Sequence, residues 1–423
     1  MKRFGYHVNR ACRACGGEGF ETVLELGAQP PSNAFLRPDE VAHEQRFPLT
    51  LMRCRACELC QLLDVVHGAD VFAEYPYLSS TSGALRAHFA EMVRTLLATE
   101  TPPPGALVVD VGANDGVTLD AYPVGPYRLL GVEPSSAGEH ARAKGHTIEA
   151  AFFDRETAER LVEQHGRAHL VTASNVAAHV DDMLDFLAGF QTLLSDEGAA
   201  VIEVSYLPDL IDGGYFDTIY HEHLCYWALS PFVRAASRAG LRVVEAERVP
   251  FGASGPAMRV KVVGSGSTRS EGRSVAALLS RERAWGLYGR DRYLSFARRT
   301  HETLDELRRI IDQRVRSSGP MFGFAAPAKG NTLLNSLGVG PNQISALAEN
   351  NPHKVGMLAP GSHIPVIDDA TLLERGPDEV LLLAWNYADA ILRYSPLAAR
   401  GARFLVPLPK PTWRTQAELR QAG

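Results

Sequence analysis

Leu107-Val108-Val109-Asp110-Val111-Gly112-Ala113-Asn114-Asp115-Gly116 is the stretch on which the fold turns. A short run of Leu and Val, interrupted once by Asp110, reads as an apolar strand that runs into a Gly-containing turn and then a helix. The turn after it carries Gly112, where the missing Cβ lets a ligand lie against the backbone. About twenty residues on, the usual spacing for such a unit, Leu129-Leu130-Gly131-Val132-Glu133-Pro134-Ser135 ends a second apolar run in an acid. A carboxylate at that place accepts both ribose hydroxyls of an adenosine. The turn reads Gly112-Ala-Asn-Asp-Gly116 rather than GxGxxG, which favours a cofactor with no pyrophosphate to cradle, and S-adenosylmethionine fits.

Outward from this unit the pattern persists. Ala106 to Val111, Arg128 to Val132, His169 to Ala173 and Ala199 to Val204 read as strands separated by helical stretches, the sign of a parallel α/β sheet. Residues 270 to 316 carry Ala, Leu, Arg and Glu at helical spacing. After Ser317-Ser318-Gly319-Pro320 the alternation resumes, with strands expected at Met321 to Ala325, Gln343 to Ala348, Glu379 to Ala384 and Arg403 to Leu405. Two α/β units joined by helices are expected, and 423 residues exceed what one core organises.

Five of the 6 cysteines fall before residue 61. Cys12-Arg-Ala-Cys15 and Cys54-Arg-Ala-Cys57 are two CxxC pairs, and two pairs close a four-thiolate site with no open position, the form of a structural zinc. Reduced, unliganded thiols in a small core are the alternative, and Cys60 is a spare. A head of this size buries little core, so metal would supply folding energy.

The net charge of −6 and the absence of a basic run argue against nucleic acid as a partner. Apolar stretches are of strand length, too short for a bilayer. The opening MKRFGYHVNRACRACGG has no apolar signal segment, so a cytoplasmic protein is expected.

Ser174-Asn175-Val176-Ala177-Ala178-His179 follows the third strand, and Tyr220-His221-Glu222-His223-Leu224-Cys225-Tyr226 lies beyond the fourth. Two histidines, a carboxylate and two tyrosines within seven residues suit proton transfer. A buried polar network and a metal site remain open, although HEH gives alternating faces in a strand and lacks the one-face spacing of HExxH. In the second α/β unit, Phe324-Ala-Ala-Pro-Ala-Lys329-Gly330-Asn331 reads strand, tight loop, helix, an anion site with one Lys. Asn350 and Trp385-Asn386-Tyr387 end later strands, where open α/β sheets bind ligands; ordinary turn and capping chemistry is the alternative.

The Asp110 motif resembles the first motif of the class I methyltransferases. That likeness implies Glu133 on the ribose, Asp110, Gly112 and Asn114 by the methionine moiety, Asp115 and Asn175 among the cofactor contacts, and Phe152 or Phe153 against the adenine. The whole set resembles a narrower family, the nucleotide-sugar C-methyltransferases of deoxysugar biosynthesis, which methylate C3 or C5 of a TDP-4-keto-hexose. It spans both CxxC pairs, Pro30-Pro31-Ser32-Asn33, Tyr75-Pro-Tyr77-Leu-Ser79-Ser80, Asn175 to His179, Tyr220 to His223, Phe324 to Asn331 and Trp385-Asn386-Tyr387.

The resemblance implies His223 as the base that takes a proton beside a ketone. Tyr220, His179, Tyr75 or Tyr77 would then be donors to the C4 oxygen, and Glu222 would orient His223 or bind a sugar hydroxyl. It implies a zinc-binding domain at 1–70 (ligands Cys12, Cys15, Cys54 and Cys57), a methyltransferase domain at 71–250, a connecting strand and helices at 251–318, and a nucleotide-sugar platform at 319–423. Arg259, Lys329, Asn331, Asn350, Trp385 and Asn386 are the implied sugar-nucleotide contacts, and a monomer is expected. Gly252-Ala-Ser-Gly255-Pro replaces the family's His-Gly-Gly, which bears on the methylated carbon. Sugar O-methylation is the alternative activity.

Overall fold

The computed structural model describes residues 3–72, 78–252 and 255–421, so the candidate residues Tyr75 and Tyr77 lie outside the described residues. Among the described residues three larger sheets form. The central one has seven strands in the order Leu241–Val249, Ala257–Gly264, Leu194–Ser205, Ala168–Ser174, Leu107–Val111, Arg128–Val132 and Thr147–Glu149. All five residues of Leu107–Val111 are buried, four of them apolar and the fifth, Asp110, bonded to Thr172, with parallel neighbours on both edges. Chain order reverses between Leu107–Val111 and Ala168–Ser174, so a crevice opens at their carboxyl ends.

The expected boundary at 250 does not end this sheet. Ala257–Gly264 inserts antiparallel between Leu194–Ser205 and Leu241–Val249, with Glu203 opposite Arg259 in register. The segment assigned to a connector therefore belongs to the central sheet, because its alternating Met258, Val260 and Val262 fill the core behind it.

The head is a four-stranded antiparallel sheet in the order Cys225–Tyr226, Cys60–Leu62, Phe47–Cys54 and Phe20–Gln29. Its edge strand comes from the far end of the YHEH run, with Tyr226 opposite Cys60. The C-terminal sheet has six strands, ordered Val366–Asp368, Ile344–Glu349, Met321–Phe324, Glu379–Leu382, Arg403–Val406 and Thr412–Arg414, parallel except at the last.

Helix Asp291–Ser318 binds these parts together. Phe296, Thr300, Leu304, Leu307 and Ile311 recur every three or four residues and form one buried stripe. That stripe shares a continuous core with Leu49 and Leu51 of the head, Phe216 before the YHEH run, and Leu381 and Phe404 of the C-terminal sheet. Each such side chain stabilises by about 1.5–3 kcal/mol, and the shared core fixes the cleft between the units. No described helix is long and apolar enough to cross a membrane.

Candidate active site

A cleft of about 1290 Å³ runs from the Gly112 turn past the YHEH run to the loops of the C-terminal sheet. At one end Gly112 has φ +71°, and a Cβ there would meet Val176 Cγ2 at 2.2 Å. The backbone is thus pressed against the Ser174–His179 segment with no room for a side chain. Glu133 is buried and lines the cleft, its Oε2 accepting from Asn114 N at 2.8 Å and its Oε1 from Ser135 N at 2.9 Å. Each oxygen keeps a lone pair for a ribose hydroxyl, so the donor set fits adenosylmethionine.

Asp110 accepts from Thr172 Oγ1 at 2.6 Å, and burial pushes its carboxyl up to about 7 against the hydrogen bonds that lower it. Asn175 also lines this end, held at φ +59° with its N–H on the Glu203 carbonyl at 2.8 Å. Asp115 lies behind the lining, its carboxylate 3.3 Å from Ser80 N while Asn114 Oδ1 takes Ser79 N at 2.9 Å. The segment after residue 78 is therefore docked on the cofactor turn, a role the sequence did not suggest for Asp115.

Of the two candidate adenine neighbours, Phe153 is 8% exposed and packed edge-on to Phe186 and Phe190, whereas Phe152 is 48% exposed. Both touch the cleft, Phe152 with the greater exposed surface. Phe153 is a core aromatic first.

At the middle of the cleft, the YHEH run is a turn rather than a strand. His223 donates from Nδ1 to the Thr218 carbonyl at 2.9 Å, and its Nε2 lies 3.0 Å from the Tyr220 hydroxyl. A carbonyl only accepts, so the proton of the neutral ring sits on Nδ1 and Nε2 carries the lone pair. Burial, with His179 close by, pushes His223 down to about 3. The His179 and His223 rings are 4.9 Å apart, and His179 Nδ1 donates to the Glu222 carbonyl at 2.5 Å.

His221 faces Pro48 instead, with Nε2 3.1 Å from that carbonyl. The Glu222 carboxylate is buried, its Oε1 accepting from Asn33 N at 3.1 Å and Asn33 Nδ2 at 3.2 Å. Burial raises its pKa. The run holds no described metal cluster.

At the far end Lys329 opens helix Ala328–Leu337 and lines the cleft with Asn350 and Asn386. Its Nζ bonds Asn386 Oδ1 and sits 4.3 Å over the Trp385 ring. Burial lowers it to about 8 while Asp217 opposes the shift, so it stays charged at neutral pH. Trp385 lies behind the lining, donating to Asp217 Oδ2 at 2.6 Å.

The loop repeats the geometry of the first unit. Ala325, directly after its strand, has φ +70°, and Glu349 at the end of the next strand accepts from Ala326 N at 3.2 Å and Asn350 N at 2.9 Å. Glu349 and its partner Lys354 were missed as individual site residues; the signal was an acid closing the second strand, as at Glu133.

Besides Trp385, two more expected substrate contacts lie off the cleft lining. Arg259 directs Nε and Nη2 at Glu203 Oε2 (3.1 and 2.8 Å) and Nη1 at Glu247 (2.9 Å), so its fork is already filled. Asn331 is fully buried, its Nδ2 on the Ser32 carbonyl at 2.8 Å.

In the head, the four cysteine sulfurs lie within 4.8 Å of one another, with Cys12 to Cys57 at 3.5 Å and Cys15 to Cys54 at 3.6 Å. Thiolates about 2.3 Å from one tetrahedral ion sit roughly 3.8 Å apart, so the cluster fits zinc. Gly17 N and Ala56 N each donate to a ligand sulfur at 3.4 Å. Cys60 is buried in the core outside the cluster.

Family models match in series along the chain: a zinc binding domain at residues 12–72, a methyltransferase domain at 84–246, and a C-methyltransferase C-terminal domain at 253–409. C-methyltransferase NovU of Streptomyces niveus is 31% identical over 403 residues, 95% of this chain and 96% of that protein. An uncharacterized methyltransferase of Mycobacterium leprae is 33% identical over 109 residues, 25% of this chain and 40% of its own. The solved structure of magnesium protoporphyrin IX methyltransferase from Synechocystis PCC 6803 with bound SAH covers 43% of this chain and 83% of its own at 14% identity, with a TM-score of 0.33.

Proposed function

Since this chain belongs to the S-adenosylmethionine-dependent C-methyltransferase family, with a structural zinc in its head, we propose that its substrate is a TDP-linked 4-keto-deoxyhexose made for a natural product. The methyl group goes to the carbon beside the ketone, C3 before C5. The observation that carries this reading is the state of His223: Nδ1 is committed to Thr218, and Nε2, whose lone pair accepts from the Tyr220 hydroxyl at 3.0 Å, belongs to a ring that lines a cleft wide enough for a nucleotide sugar.

His223 Nε2 takes the proton from the carbon next to the C4 ketone; the C–H electron pair becomes the enolate double bond, and the carbonyl π pair moves onto the C4 oxygen. Burial keeps the ring proton-free in the empty enzyme. The imidazolium that forms faces the enolate charge, and that attraction offsets the burial that otherwise disfavours it. In the empty enzyme the Tyr220 hydroxyl can only donate to the unprotonated Nε2; the proton that Nε2 gains ends that bond and turns the hydroxyl to the oxyanion as its donor. His179, whose one N–H is bound to Glu222, instead offers an acceptor to a ring hydroxyl. Adenosylmethionine, when bound, would supply an electrophilic methyl: the enolate carbon would take it as the C4 ketone reforms, the S–CH3 bond would break with its electron pair left on sulfur, and S-adenosylhomocysteine would leave. Lys329 and Asn386 suit the diphosphate, and Glu349 matches the place that Glu133 holds in the other unit.

The test is incubation with adenosylmethionine and a panel of TDP-4-keto-sugars in deuterated water. Wild type should exchange the proton beside the ketone and form a carbon-bound methyl, and His223→Ala should lose both. Methyl found on oxygen, or exchange at the wild-type rate in the variant, would overturn the proposal.

A further inference from the structure

The Pro30-Pro31-Ser32-Asn33 segment follows the head strand Phe20–Gln29. It is pinned from two sides. Asn331 Nδ2 donates to the Ser32 carbonyl at 2.8 Å, and Ser32 Oγ lies 3.1 Å from Thr332 Oγ1, both partners on the helix Ala328–Leu337 that carries Lys329. On the other side the backbone N and the side-chain Nδ2 of Asn33 both reach Glu222 Oε1. The opposite oxygen, Glu222 Oε2, is buried and has no partner among the described residues, while both Glu222 and Asn33 line the cleft. A buried carboxylate oxygen left unpaired is costly, and in the ionised form it is an acceptor only.

We propose that Asn33 is a positioning residue: two donors fix Oε1 of Glu222 so that Oε2 is presented to the cleft as the acceptor for a ring hydroxyl of the substrate. The proposal rests on the keto-sugar reading of the cleft. The segment then acts as a strut. The helix that carries Lys329 and the turn that carries Glu222 are joined through four residues, which fixes the separation between a phosphate grip and a hydroxyl grip. Asn331 belongs to this strut rather than to the substrate contacts.

The test measures binding by calorimetry, which does not depend on the base. The probes are TDP-4-keto-6-deoxyglucose and its 2-deoxy and 3-deoxy counterparts. Wild type should prefer the parent to one of the two by about tenfold, the size expected of a hydrogen bond to a charged acceptor. Asn33→Ala should cut that preference at least threefold, Asn33→Ser should recover part of it, and in a Glu222→Ala background Asn33→Ala should change nothing further. Asn33→Asp is isosteric and keeps the strut packed; it should lose the preference even if the alanine variant folds poorly. An unchanged preference in Asn33→Asp, or an Asn33→Ala effect that adds in full to Glu222→Ala, overturns the role of Asn33. Failure of wild type to bind any of the three sugars overturns the keto-sugar reading instead.

Discussion

His223 Nδ1 donates to the main-chain carbonyl of Thr218 at 2.9 Å. A main-chain acceptor cannot rotate away, so the tautomer of the base is built into the turn. Glutamine at 223 keeps a donor for that carbonyl and lacks the basic lone pair. His223→Gln should slow methyl transfer by about 10²–10⁴-fold with sugar affinity little changed. Single-turnover rates beside calorimetric binding check this, and a parallel loss of affinity would argue against it.

Burial lowers the pKa of His179, His221 and His223 alike. Each is neutral when folded and takes a proton when unfolded, near the ordinary value of about 6.5. The stability linked to these rings is complete above that value and is lost as pH falls toward the folded values. Asp110 and Asp217, pushed up to about 7 and about 6 by burial, give the opposite slope. The difference between variants is therefore the measurement. His221→Gln should fall less steeply in urea midpoint between pH 7 and pH 5 than wild type.

A methyl group on residue 112 would strike Val176 in a backbone conformation that side chains resist. Gly112→Ala should weaken S-adenosylhomocysteine binding at least tenfold. Adding Val176→Ala should recover part of the loss by removing the struck atom, but not the strain of positive φ. Calorimetric titration of the single and double variants decides it.

Phe152 and Phe153 should separate cleanly. Phe153→Ala, in the Phe186 and Phe190 cluster, should cost about 3–5 kcal/mol of stability. Phe152→Ala should leave the melting temperature within a degree or two of wild type (roughly the effect of a surface change) and raise the KM for adenosylmethionine. Equal melting temperatures for the two variants would contradict their packing.

Removal of one zinc ligand should reach the chemistry although the metal takes no part in it. Cys54→Ser should lose the ion by elemental analysis and, since Cys54 ends a strand of the sheet that Cys225–Tyr226 completes, should also lower kcat. A metal-free variant with full kcat would show head and turn to be uncoupled.

Much of this molecule is legible in its sequence where the chemistry is local. The Gly112 turn and the acid at Glu133 line one cleft, and the sulfurs of the two CxxC pairs gather within 4.8 Å of one another. Arg259 illustrates what is hidden. Its approach to Glu203 is a matter of register between strands more than fifty residues apart, and no periodicity in either strand reveals the partner. Phe152 and Phe153 are chemically identical neighbours, and the packing of helices Arg155–His165 and Met183–Leu193 decides which faces inward. Asn33 was visible as part of a motif, but its reach to Glu222 depends on how the head docks.

The pairing of Tyr226 with Cys60 sets a timetable for synthesis. The first sixty-odd residues leave the ribosome long before the strand that covers their edge, and that edge waits unprotected until the central sheet has largely emerged. An early-held zinc ion would keep the nascent head compact through that interval, which makes metal supply during translation a determinant of yield.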